Sequence, residues 1–144
     1  MSIRQISVFL ENKPGTLNAM TEVLAAASID LRALSLAETT DFGIARLIVD
    51  DVYETATVLK DAGYVCSLTP VVAVMIPDVA GGLHKVLTAL TEAGINLEYM
   101  YSSLAGGPDS RACMIFRLAD PEKAENILRA KGFSVVDRES VQEI

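Results

Sequence analysis

This chain repeats itself, and the repeat restricts its fold more than any other feature. Ile6 to Leu36 aligns with Val72 to Ser102 at a constant offset of 66 residues: Gly15 falls on Gly81, Leu17 on Leu83, Met20 on Val86, Leu24 on Leu90, Ala27 on Ala93 and Ile29 on Ile95. Beyond the second strand the offset becomes 69, with Ala45, Leu47 and Val49 on Met114, Phe116 and Leu118, and Gly63 on Gly132. The three extra residues lie in a turn of the second copy, around Ala105-Gly106-Gly107-Pro108-Asp109, where an insertion disturbs no packed element. One supersecondary unit is therefore used twice.

In each copy the helical positions spaced by 3, 4 and 3 are apolar, which is one face of an amphipathic helix. The first copy reads as strands over 3–10, 29–38, 43–50 and 64–68, with helices over 15–27 and 52–62. The second reads as strands over 70–76, 95–104, 110–118 and 133–138, with helices over 82–93 and 121–131. Asp51 is placed to cap the second helix, with Glu54 three residues on. Asp120-Pro121 opens the last helix, and Gly63 and Gly132 end two others. The order β-α-β-β-α-β, twice, predicts an α+β chain of two ferredoxin-like sandwiches, over 1–68 and 69–144, each an antiparallel sheet with both helices on one face.

The first strand of each copy is apolar on more than one side, with Ile6, Val8, Phe9 and Leu10 in one and Val71 to Ile76 in the other. Ile44, Ile48 and Ile115 add to the face away from the helices. This predicts sheet packed on sheet, between halves or between chains, and so a homodimer or higher homo-oligomer.

Composition excludes several classes. At 144 residues, 51% hydrophobic and net charge −7, the chain is globular and has no basic cluster for a nucleic-acid backbone. No apolar run reaches the roughly 18 residues of a membrane helix, and the N-terminus lacks the apolar segment of a signal peptide, so a cytoplasmic protein without membrane contact is expected. Cys66 and Cys113 fall in apolar stretches and read as buried thiols rather than a disulfide.

Chemistry has few places to reside. His84, the only histidine, has no acid or thiol at ligand spacing. No nucleophile elbow, zinc motif or phosphate-binding Walker loop is present, so no catalytic residue, metal or cofactor is predicted. What stands out is the stretch Glu11-Asn12-Lys13-Pro14-Gly15-Thr16-Leu17, which joins a strand to a helix. Such a junction offers main-chain N–H groups and the positive end of the helix dipole to a carboxylate. The second copy keeps a glycine and a short polar residue in Asp78-Val79-Ala80-Gly81-Gly82-Leu83. The N–H groups would take a carboxylate, and an oxygen of Asn12 or Asp78 an ammonium. One site per chain, two unequal sites and two equal sites all remain open. Tyr99, Tyr101 and Ser102 could line a pocket on the second copy. Lys13 has Val79 as its counterpart and reads as surface.

These residues carry a resemblance. Ile6 to Leu17, followed by Ala26-Ala27-Ser28-Ile29-Asp30-Leu31, looks like an ACT domain, and Ala93-Gly94-Ile95-Asn96-Leu97 with Gly81-Gly82-Leu83 looks like a second. The second lacks the usual proline before glycine. The chain resembles stand-alone tandem ACT proteins. That resemblance implies a regulatory protein whose amino-acid effector sits at the strand-one/helix-one loops, at a domain or subunit interface. It places neighbouring-strand contributions near Leu34 to Leu36 and Met100 to Ser102, with Leu36, Met100 and Tyr101 among the contacts. A non-catalytic amino-acid sensor is thus expected. The alternative is a subunit that acts by protein contact alone on an amino-acid biosynthetic enzyme, such as one of acetolactate-synthase type. An RNA-binding module of the same topology is disfavoured, because strand three of copy one, Gly43 to Val49, holds no aromatic residue.

Overall fold

The computed structural model describes residues 2–104 and 111–144, so the insertion at 105–109 lies outside the described residues. The elements are β1 (Ile3–Glu11), α1 (Thr16–Ala26), β2 (Leu31–Glu38), β3 (Phe42–Val49), α2 (Val52–Asp61), β4 (Val65–Pro77), α3 (Gly82–Glu92), β5 (Leu97–Ser102), β6 (Arg111–Leu118), α4 (Pro121–Ala130), β7 (Ser134–Val135) and a 3₁₀ helix, Arg138–Glu143. The chain divides into two compact units: Arg4–Thr69, and Pro70–Ile144 with the N-terminal residues through Ile3. Among the described residues no helix is long and apolar enough to cross a membrane.

In the first unit β3 is flanked by β1 and β2, both antiparallel to it, with Val8 opposite Ala45 and Leu36 also opposite Ala45 from the other side. Ile6, Val8, Leu10, Ala45 and Leu47 point from this sheet to the helices, where Met20, Leu24 and Leu59 complete one core. In the second unit β6 lies between β4 and β5, and β7 pairs with the other edge of β4. Val72, Val74, Val86, Leu90, Phe116 and Leu128 form its core. α1 packs on α2, and α3 on α4. Each unit is thus an α+β ferredoxin-like sandwich.

Local chemistry explains several boundaries. Asp51 accepts from the N–H groups of Tyr53 and Glu54 at 3.1 and 3.0 Å, and Asp120 from that of Lys123 at 3.1 Å. These side chains satisfy donors that a helix start leaves open. Gly63 and Gly132 end their helices with φ of 91° and 86°.

Three expectations need correction. The strands expected over 64–68 and 70–76 are one strand, β4. Pro70 fixes φ at a value that extended backbone accepts, so it marks no break. The last strand, expected over 133–138, is two residues long, and the chain then turns into the 3₁₀ helix. The face away from the helices is also less uniformly apolar than expected. Gln5 and Ser7 of β1 lie on it, buried, with Gln5 Nε2 donating to Ser7 Oγ at 3.0 Å. Ile48 and Ile115 are fully buried, whereas Phe9 and Phe42 are 47% and 60% exposed. In the second unit the chain's own C-terminal segment returns to this face: the Val136 N–H donates to the Ala73 carbonyl at 2.8 Å, and Val136, Val141 and Ile144 are buried.

Cys66 and Cys113 are both free thiols, and burial pushes Cys113 up to about 12. Arg32 donates through Nε and Nη2 to both oxygens of Asp50, at 2.8 and 2.9 Å. These bonds pull the Asp50 carboxyl below its ordinary value, against a smaller opposing effect of burial. A carboxyl whose pKa is lower in the folded state adds stability above its unfolded pKa and loses it as pH falls through the folded pKa. Asp50→Asn should therefore cost about 0.2–1 kcal/mol near neutral pH, at the low end because the pair is partly solvated. The difference from wild type should shrink as pH falls from neutral into the acid range, past the ordinary carboxyl pKa of about 3.9 and on through the lower folded one. Urea melts at neutral and acid pH check this, and a cost that grows on acidification would contradict it.

Candidate ligand site

α1 begins without a side-chain cap. Its N-cap is Gly15 at φ 86°, ψ −7°, a left-handed conformation that disfavours any residue with a Cβ. The Gly15 carbonyl accepts from the Ala19 N–H at 2.9 Å, and Thr16 N–H reaches the Lys13 carbonyl at 3.4 Å. The next donors, on Leu17 and Asn18, have no acceptor inside the helix. Thr16 Oγ1 donates to the Glu11 carbonyl at 2.8 Å and to that of Lys13 at 3.1 Å, which closes the loop on itself. Asn12 Nδ2 donates to the Thr39 carbonyl at 3.1 Å, and its N–H to the Asp41 carbonyl at 3.0 Å. The β1–α1 loop is thereby tied to the β2–β3 turn.

These ties enclose a cleft of about 150 Å³ in which Glu11, Asn12, Lys13, Gly15, Thr16 and Leu17 meet Leu36. Of the first-copy loop residues expected at a site, Pro14 alone does not line it, and of the β2 stretch Leu34 to Leu36 only Leu36 does. Leu36 is 53% exposed, an apolar side chain left open at the mouth. Leu10, Asn18 and Glu38 also line the cleft and were not anticipated. Glu38 could have been found, since it follows Leu36 by two residues on the same face of β2. Lys13 and Glu11 form an ion pair, and the Glu11 carboxylate holds the Lys13 ammonium above its ordinary value. Lys13 is therefore a surface residue at the cleft rim, exposed and partnered by Glu11.

The second loop has the same outline with different detail. Gly81 caps α3 at φ 84°, again with no side-chain cap, and its carbonyl accepts from the Lys85 N–H at 3.2 Å. Asp78, Val79 and Ala80 are exposed, Gly82 is buried and Leu83 packs against the second core. Met100 also packs against that core, while Tyr101, the next residue along β5, points to the other face. Ser102, opposite Met114, stands where Leu36 stands opposite Ala45. The two loops therefore present unlike surroundings: an apolar Leu36 in one and a hydroxyl in the other. His84 is exposed on α3, beside a shallow groove with Lys85, Glu92 and Lys131. Among the described residues no three His, Cys, Asp or Glu side chains stand close enough to share a metal ion.

A family model described as an ACT domain pair matches residues 1–144. The chain belongs to the ACT domain pair family. A crystal structure of a Bacteroides thetaiotaomicron protein is similar to this ACT pair, with 38% identity, a TM-score of 0.92 and coverage of 100% of this chain and 98% of that one. The regulatory subunit of aspartate kinase from Thermus thermophilus shares the fold at 19% identity and a TM-score of 0.67, covering 91% of each chain. That from Thermus flavus does so at 20% identity and a TM-score of 0.62, covering 90% of each. No curated protein matches the ACT pair.

Proposed function

We propose that this ACT pair is a non-catalytic, cytoplasmic amino-acid sensor whose effector binds in the Glu11–Leu17 cleft. The observation that carries the reading is the uncapped start of α1 opening into a cleft with Leu36 and Glu38. A ligand carboxylate would meet the N–H groups of Leu17 and Asn18 and the positive end of the α1 dipole. Its ammonium would meet Glu38 or the Asn12 oxygen, and an apolar side chain would lie against Leu36. The second loop, with Ser102 in place of Leu36, would bind a different effector or none. The protein acts as a homodimer or higher homo-oligomer, and light scattering should return a mass above the 15.4 kDa of one chain.

The test is a thermal-shift screen against the twenty amino acids, followed by calorimetry on each hit. A ligand that binds only the folded state adds about 2.7 kcal/mol at a hundredfold excess over Kd, so a true effector stands clear of the rest. Gly15→Val should abolish the response to an effector held in this cleft. No shift with any amino acid would overturn the sensor reading.

A second reading, regulation by protein contact alone, is favoured by Phe9 and Phe42. They are exposed on one sheet face, one register step apart, with Ile44 between them on β3. The Thermus proteins are regulatory subunits of aspartate kinase, so the enzyme to be tried first is of that class, ahead of one of acetolactate-synthase type.

A further inference from the structure

The second unit holds a cavity with no counterpart in the first copy's sequence. It has a volume of about 170 Å³ and lies between β4, β6 and the C-terminal segment, lined by Met75, Arg111, Ser134, Asp137, Ser140 and Glu143 among others. Arg111 opens β6 opposite Pro77, and the equivalent pair in the first unit is Phe42 opposite Glu11. Phenylalanine serves the same register position, so the fold itself does not require arginine there. Arg111 Nε is nevertheless buried, with no hydrogen-bond partner among the described residues. A buried charged donor without an acceptor is costly and calls for an explanation.

The acids in the same cavity do not supply that acceptor. Asp137 is taken by Arg129, whose Nη2 donates to it at 2.6 Å. Glu143 lines the cavity too, yet among the described ion pairs none joins it to Arg111. One cation and one carboxylate thus face a single small cavity without neutralising each other, and the Ser134 and Ser140 side chains add hydroxyls that can donate or accept.

We infer that this cavity is a binding site for a small zwitterion, an α-amino acid whose carboxylate pairs with Arg111 and whose ammonium pairs with Glu143. At roughly 30 Å³ per water, the cavity has room for about six non-hydrogen atoms, the size of alanine or serine. A guanidinium holds a carboxylate by two parallel bonds, and an occupant would supply the acceptor that Nε lacks. Because Arg111 is on the sheet and Glu143 on the 3₁₀ helix, the ligand would also fasten the C-terminal segment to β6. This site is independent of the Glu11–Leu17 cleft.

The experiment is calorimetry on the full chain with L-serine, L-alanine and glycine, and with acetate and methylamine as half-ligands. Wild type should bind at least one of the three amino acids, and bind it more tightly than either half-ligand. Arg111→Met and Glu143→Gln should each raise its Kd about tenfold or more, as expected for loss of one charge-assisted contact, with Arg111→Lys intermediate. Thermal melts show whether each variant remains folded, and Arg111→Lys keeps the test open should Arg111→Met not fold. Binding unchanged in both charge variants overturns the inference, as does acetate binding as tightly as the amino acids, or no heat with any of the three. Binding lost in Gly15→Val but kept in Arg111→Met belongs to the first cleft; it overturns this site and leaves the sensor reading standing.

Discussion

Gly82→Ala should destabilise the protein by about 3 kcal/mol, the upper end of what overpacking costs. A Cβ built on Gly82 falls 2.4 Å from the Pro77 carbonyl oxygen and 3.5 Å from its carbon. The obstacle is backbone at the end of a paired strand, so it cannot rotate aside as a side chain would. The first turn of α3 would have to lift from β4, and Val86 and Leu90 would be drawn out of the core with it. The equivalent pair in the first unit shows the difference. There Thr16 stands where Gly82 stands, and its hydroxyl hydrogen-bonds the Glu11 carbonyl at 2.8 Å. The first helix start has room for a side chain that bonds the strand carbonyl; the second has dispensed with the side chain and closed the gap. Gly81→Ala is the control. Nothing lies within 4 Å of its Cβ, so its cost is the left-handed backbone alone, about 1–2 kcal/mol. Denaturant melts of the two variants should rank Gly82→Ala as the more damaging. The reverse order would mean that α3 sits farther from β4 than the structure places it.

The repeat made the fold legible because it tests each element twice. A strand or helix proposed from Ile6 to Leu36 had to make sense again from Val72 to Ser102, and it did. Helix starts at Asp51 and Asp120 were legible for a different reason: a cap is local chemistry between residues two or three apart. The loop at Gly15 was legible as a strand-to-helix junction, and its joining with Leu36 followed from the resemblance to ACT domains rather than from spacing. What could not be read depended on contacts far apart in sequence. Nothing in Leu68-Thr69-Pro70-Val71 says whether an extended chain pauses or runs on. The ion pair of Lys13 with Glu11 is a choice of rotamer. Met100 and Tyr101 stand together only through the resemblance, as the counterparts of Leu34 and Ser35, although adjacent strand residues face opposite ways. The cavity at Arg111 escaped because it needs residues 134 to 143 brought round to β6, and a last strand running over 133–138 does not allow the turn that brings them.

Leu24→Ala should cost about 2–5 kcal/mol, and Leu36→Ala almost nothing in stability while weakening any ligand in the cleft. Leu24 is 2% exposed in the first core, as is its repeat partner Leu90 in the second, so removing either side chain leaves a cavity that rigid neighbours fill only in part. Leu90→Ala should match Leu24→Ala, because the two stand at the same helical step against equivalent strands. Leu36 is the same residue type with 53% of its surface exposed, at the mouth of the Glu11–Leu17 cleft. Truncating it removes little that folding has buried, so its melt should lie within about 0.5 kcal/mol of wild type. Its reason for being apolar must then lie outside the fold. If an effector side chain rests on it, Leu36→Ala loses that apolar contact. At about 0.8 kcal/mol per buried CH₂, Kd should rise several-fold to about tenfold. A variant that keeps both its stability and its affinity would show that Leu36 is merely an exposed leucine, and would move the search for the effector's apolar contact to the other walls of the cleft. A variant that keeps its stability and loses its affinity would separate recognition from folding at one residue, which neither Gly15 nor Gly82, whose backbones serve both, can do.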